Sequence, residues 1–168
     1  MTNKILEQMV HVYQLASEMA KVGLSDKFIT AMVGLASQYE GVYDLMVLWS
    51  EENDQGEKDH IIADIQELID GNADKVERCE AGRIVKKPKL SFDKLDTVGS
   101  AVLAFKAELR KKVDKWGGIS KLAEVTGMPQ PSLSRFFSSA SMPRRVTLYK
   151  IAEALSLPKE QIDFDWVT

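Results

Sequence analysis

One cysteine, Cys79, stands among 168 residues, so no intrachain disulfide can form, and a reducing compartment is the expected setting. The two histidines, His11 and His60, lie far apart and neither belongs to a ligand pair. With a single thiol beside them they offer too few donors for a zinc cage. There is no glycine-rich phosphate loop and no nucleophile motif, and the carboxylates of the first half fall on helix faces at scattered spacings. These absences predict a protein that is not an enzyme and needs no metal or cofactor. No apolar run is long enough to span a bilayer. The opening residues, MTNKILEQMV, place Glu7 inside any would-be apolar core and have no small-residue cleavage site. The expectation is a cytoplasmic protein with no membrane partner. What is present is an ordinary globular composition, 45% hydrophobic and 28% charged, long enough for one domain or two small ones.

A net charge of −3 argues at first against a nucleic-acid partner, but the charges are segregated. Residues 1–82 hold six Lys and Arg against sixteen Asp and Glu; residues 83–150 hold fifteen against five; residues 151–168 hold one against four. A basic module beside an acidic one suggests that only the second meets phosphate.

The acidic module reads as helical. From Thr2 to about Val22, Ile5, Met9, Val12, Ala16 and Met19 recur at spacings of four and three, and Gly23 ends the pattern. Ser25 is a good N-cap for a second helix running to about Ser50. That helix is apolar on more than one side, which predicts a central element or one shared with another molecule. Asp54 and Glu57 form a candidate capping box for a third helix carrying Ile61, Ile65, Leu68 and Ile69 and stopping at Gly71; a short fourth helix follows over 73–80. Such a module buries little area alone, and its methionines suit an irregular interface. Residues 1–82 are therefore assigned as an acidic helical domain for dimerisation or partner binding. Residues 83–96 are a basic linker, whose Lys86, Lys87 and Lys89 could follow a phosphate backbone or serve as a solvated tether. Residues 97–168 form the remaining domain.

That domain opens with a helix whose stripe is Val98, Val102, Phe105, Leu109, Val113 and Trp116, with Lys106, Arg110, Lys111 and Lys112 on its outer face. Gly117-Gly118 breaks it. In ISKLAEVTGMPQPSLSRFF, residues 119–137, a first short helix ends at Gly127, and Pro129 and Pro131 allow a second to start. From Gln130 that helix carries Leu133, Phe136 and Phe137 inward. Two short helices with a glycine turn make a helix-turn-helix, and the second fits a DNA major groove. At its start Gln130 can bond adenine twice, Arg135 can bond guanine O6 and N7, Ser132 and Ser134 are short enough to approach bases or phosphates, and Pro131 can pack on a thymine methyl. A helix through Thr147–Ser156 follows, and a last helix from Pro158 brings Ile162, Phe164 and Trp166 to the core.

The ordered set Leu122-Ala123, Gly127, Gln130, Ser132-Leu133, Pro143 and Thr147–Leu155 resembles the lambda-repressor/Cro-like helix-turn-helix family over roughly residues 98–162. The resemblance implies an all-α chain in which an N-terminal helical bundle precedes a five-helix domain that binds double-stranded DNA. It implies base contacts at Gln130, Pro131, Ser132 and Arg135. It implies phosphate contacts from the Gly118 backbone N–H, Ser120, Lys121, Ser139, Ser141, Arg144 and Arg145. Three departures stand out: Ser139 replaces a usual glycine, Arg145 replaces a usual apolar residue, and the domain is C-terminal rather than N-terminal. The functional expectation is a transcriptional regulator, a homodimer joined through its N-terminal helices and reading a palindromic operator. The alternative is an antitoxin whose acidic half neutralises a basic toxin and whose other half autoregulates by binding DNA.

Overall fold

A computed structural model describes residues 2–80 and 95–158, and every regular element among them is an α-helix. In chain order these are α1 (Thr2–Lys21), α2 (Asp26–Ala36), α3 (Glu40–Glu51), α4 (Gln55–Glu80), α5 (Leu95–Trp116), α6 (Gly118–Thr126), α7 (Gln130–Ser138) and α8 (Arg145–Ala154). The fold is all-α, as the sequence predicts. Residues 83–94 of the basic linker, with Lys86, Lys87 and Lys89, lie outside the described residues. So does the last helix expected to carry Ile162, Phe164 and Trp166.

The chain divides into two compact units. The first takes in residues 2–69 together with Gly127–Ser132; the second takes in residues 70–80, 95–126 and 133–158.

In the first unit α1, α2 and α3 pack on one another. Gly23, at φ +96°, ends α1, a conformation that costs glycine nothing. Ser25 caps α2, its hydroxyl oxygen accepting from the Phe28 N–H at 3.2 Å. The single helix predicted from Ser25 to about Ser50 is instead two. Ser37 Oγ donates to the Gly34 carbonyl at 2.7 Å, the Gln38 and Tyr39 N–H groups both turn back to the Leu35 carbonyl, and Tyr39 takes an extended backbone before α3. A serine side chain competing for helical carbonyls is a local route out of a helix. The break explains the two-sided apolarity of this stretch. α2 buries Phe28, Met32 and Leu35, and α3, re-aimed, buries Val42, Met46 and Trp49 in the same core. Val12, Leu15 and Met19 of α1 and Ile61, Ile62 and Ile65 of α4 complete that core.

Asp54 starts α4, accepting the Glu57 N–H at 2.9 Å. The Asp54 N–H goes to Glu52 Oε1 at 2.9 Å, and the Asn53 N–H reaches the same oxygen. Those backbone donors hold the Glu52 carboxyl below its ordinary value. α4 does not stop at Gly71, as predicted, but continues to Glu80 and absorbs the expected fourth helix. Gly71 is not among the positive-φ glycines, and one helical glycine costs only about 1 kcal/mol.

In the second unit α6 packs on α5 and α8, and Val102, Leu109, Val113, Leu122, Leu133, Leu148 and Ile151 are buried. Asp70, near the end of α4 and itself buried, accepts from Thr147 Oγ1 at 3.1 Å and from Lys150 Nζ at 3.0 Å on α8. The charge is taken from water but met by two donors, the condition under which a buried carboxylate is tolerated.

Met32 is fully buried at the centre of the first core. Met32→Ala should lower unfolding free energy by about 2–5 kcal/mol. Urea melts followed by circular dichroism would show it.

Candidate nucleic-acid interface

Two adjacent glycines build the entry to α6. Gly117 at φ +148° and Gly118 at φ +85° turn the chain after α5, and the Gly117 N–H closes that helix on the Val113 carbonyl at 3.1 Å. α6 begins at Gly118, so the N–H groups of its first turn lack intrahelical partners. Ser120 and Lys121 are exposed there. Lys121 is held in place: its Nζ donates to the Trp116 carbonyl at 3.1 Å and lies 4.3 Å from the centre of the Trp116 ring.

Gly127 at φ +73° makes the turn, as expected from its place in the sequence. Within the first compact unit its carbonyl accepts the Ser25 hydroxyl. α7 then starts at Gln130, and the Ser132 N–H bonds the Pro129 carbonyl at 3.1 Å. Gln130 and Ser134, four apart and on one face, are exposed; Pro131 and Arg135, the neighbouring pair, are half-buried. Ser132 is 8% exposed and, among the described residues, its hydroxyl has no hydrogen-bond partner. Leu133 is fully buried and anchors the helix.

The segment after α7 is held by a residue that the sequence placed elsewhere. Lys106 was expected on the outer face of α5, but it is 1% exposed. Its Nζ donates to the Ser139 carbonyl at 2.7 Å and the Ser141 carbonyl at 2.8 Å, and lies 4.7 Å from the Phe136 ring centre. Burial pushes its ammonium down to about 8 from the ordinary 10.5. The sequence signal was available: Val102, Lys106, Leu109 and Val113 share one four-three-four stripe, and the other three are buried. Phe105, read as part of that stripe, is only half-buried. Ser139 and Ser141 are also joined through their hydroxyls at 2.5 Å, and the Ser141 N–H caps back on Ser139 Oγ at 3.0 Å. This serine pair shapes the loop at the position where the family resemblance implies glycine.

The other cations of α5 do lie outside. Arg110 pairs with Asp114 at 2.9 Å and lies over the Phe137 ring; Lys111 pairs with Glu108 at 2.7 Å, which holds that carboxyl below its ordinary value. Lys112 is exposed. On the far side of the loop, Arg145 is exposed as the first residue of α8, and Arg144 is half-buried. A Cβ at Gly71 would sit 3.2 Å from an Arg144 guanidinium nitrogen, so the glycine leaves room for that side chain along α4. Among the described residues no cluster of His, Cys, Asp and Glu is placed to hold a metal, and no helix is long and apolar enough to cross a membrane.

Two short helices about a left-handed glycine, an exposed polar start to the second and a clamped loop after it define a helix-turn-helix. Residues 109–162 match the family model described as Helix-turn-helix, so this C-terminal region is similar to the lambda repressor/Cro-like helix-turn-helix. Comparison with curated proteins finds no match, and comparison with solved structures finds none.

Lys106 carries a pH signature. The folded chain releases this proton near pH 8, the unfolded chain only near 10.5, so between those values the unfolded state binds more protons. Stability contributed by this residue should therefore rise with pH across that window and stay flat, at its least favourable, below it. Urea melts of wild type and Lys106→Met at a series of pH values should show this slope in the wild type relative to the variant.

Proposed function

We propose that the protein is a sequence-specific transcriptional regulator that acts as a homodimer through its N-terminal helices and reads a palindromic operator in the major groove. The match of residues 109–162 to the helix-turn-helix family carries this reading. The exposure of Gln130 and Ser134 on α7 supports the groove assignment. In this reading Gln130, Pro131, Ser134 and Arg135 meet bases, while Ser132, expected from the sequence to join them, is withdrawn by its burial. The Gly118 N–H, Ser120, Lys121, Ser139, Ser141, Arg144 and Arg145 meet phosphates. The protein works in the cytoplasm and catalyses nothing. Paired domains suit half-sites about one DNA turn apart.

One observation favours a second reading. Residues 40–80 hold thirteen Asp and Glu against three Lys and Arg, an excess of charge suited to a basic protein. An antitoxin would use it to neutralise a basic toxin and would bind DNA for autoregulation. Co-purification of a small basic protein at stoichiometric yield would favour that role.

Gel shift against genomic fragments at low salt tests the DNA reading directly; no retarded fragment would refute it. Once a site is found, Arg135→Ala should cost about 1–3 kcal/mol at one base pair and relax preference there. Lys121→Ala should instead weaken all sequences alike and reduce the salt slope by about one. A uniform loss from Arg135→Ala would reassign that residue to the backbone.

A further inference from the structure

α1 presents two stripes. Val12, Leu15, Ala16 and Met19 are buried in the core of the first unit. A separate stripe, Leu6, Val10, Tyr13, Ser17 and Ala20, recurs at spacings of four and three and is exposed along its whole length. Its large members are 64%, 50% and 60% exposed. Apolar residues at heptad spacing are what a helix offers to another helix. Left bare, they are a patch that demands an occupant.

Charge selects the occupant. The acid excess of residues 1–82 falls entirely within residues 40–80, whereas α1 carries Lys4 and Lys21 against Glu7 and Glu18 and is neutral. A basic partner would be drawn to residues 40–80 rather than to α1. A second acidic copy, repelled elsewhere, meets no net charge here. The distribution also fixes direction. Glu7, Gln14 and Lys21 run at intervals of seven along one edge of the stripe. In a parallel pair this edge would face the opposite edge of the second copy, Met9 and Ala16, and both charges would go unpaired. In an antiparallel pair Glu7 faces Lys21 of the second copy at each end and Gln14 faces Gln14 at the centre. The same register sets Val10 against Ala20 and Tyr13 against Ser17, large against small, as interdigitated packing requires.

Building on the regulator reading, we infer that the exposed stripe of α1 is the seam through which two copies of this chain pair, antiparallel about Gln14. Pairing on this stripe does not draw on the acid of residues 40–80.

Sedimentation equilibrium of the full chain, without DNA, tests this. Wild type should dimerise, and Tyr13→Glu should weaken the dimer about thirtyfold or more, the loss expected at a central contact. Because Tyr13 is exposed, its helical circular dichroism should not change. Glu7→Lys and Lys21→Glu should each weaken the dimer, and the two together should restore it. A wild type that stays monomeric, or a Tyr13→Glu dimer as tight as wild type, overturns the seam. A double reversal that fails to rescue overturns the antiparallel register. A basic protein whose binding Tyr13→Glu abolishes would give the stripe to another occupant and also overturn it. Gel shift separates this from the reading beneath it. A Tyr13→Glu chain that still shifts a single half-site but no longer fills two cooperatively supports the seam. A chain that pairs through α1 yet shifts no DNA refutes the regulator reading and leaves the seam standing.

Discussion

An ammonium removed from water needs partners, and Lys106 finds them in two main-chain carbonyls, those of Ser139 and Ser141, and in the face of Phe136. Hydrogen bonds from a charged donor are roughly twice as strong as neutral ones, and they are stronger still away from solvent. A loop of serines and an alanine has little apolar surface with which to fix itself. Here its path is set from beneath by α5, and the end of α7 is set with it, because Lys106 and Arg110 each lie against one of the two consecutive phenylalanines of that helix. The lever between α5 and the segment after α7 is thus electrostatic rather than hydrophobic.

The two compact units answer different demands. The first is a methionine-rich core, in which Met19, Met32 and Met46 are fully buried. Flexible thioethers adapt to uneven spaces between packed helices. The second uses branched aliphatics around Leu122, Leu133 and Ile151, with better-defined rotamers, where a helix has to be presented in one orientation. Along the sequence the excess of negative charge falls within residues 40–80 and the excess of positive charge within residues 83–150.

Much of this was legible in residue order. Gly23 and Gly127 fall where the chain needs positive φ, and both helices before them end there. Ser25 and Asp54 cap as their spacing implies. On α1 the expected period holds over Val12, Ala16 and Met19, whereas Ile5 is exposed and Leu15 joins the buried face; on α7 Leu133 is buried and Phe136 and Phe137 are half-buried. What escaped has physical causes. The break between α2 and α3 involves no proline and no left-handed glycine. It rests on a serine hydroxyl taking a helical carbonyl and on the gain from turning α3 into the core, a tertiary effect. Gly71 reads as a stop, but Asp70 beside it is tied to α8 and the helix runs on. Lys106 was misplaced because charge outweighed period; a lysine on a stripe with Val102, Leu109 and Val113 was the better clue. At the interface, residue type gave the candidate positions, while the burial of Ser132 and the mutual bonding of Ser139 and Ser141 depend on neighbours that residue order does not name.

Gly117 has a further effect through Lys121. A Cβ at Gly117 would come within 2.4 Å of that side chain, so the lysine stem crosses the chain where glycine leaves it room and ends over Trp116. A long, flexible cation normally forfeits much rotational freedom when it is fixed against an anion. Lys121 has forfeited part of it already, whereas Lys112, exposed on α5, has no such seat among the contacts described. Of two lysines with the same charge, the one threaded over a glycine has less rotational freedom left to lose in any contact it goes on to make.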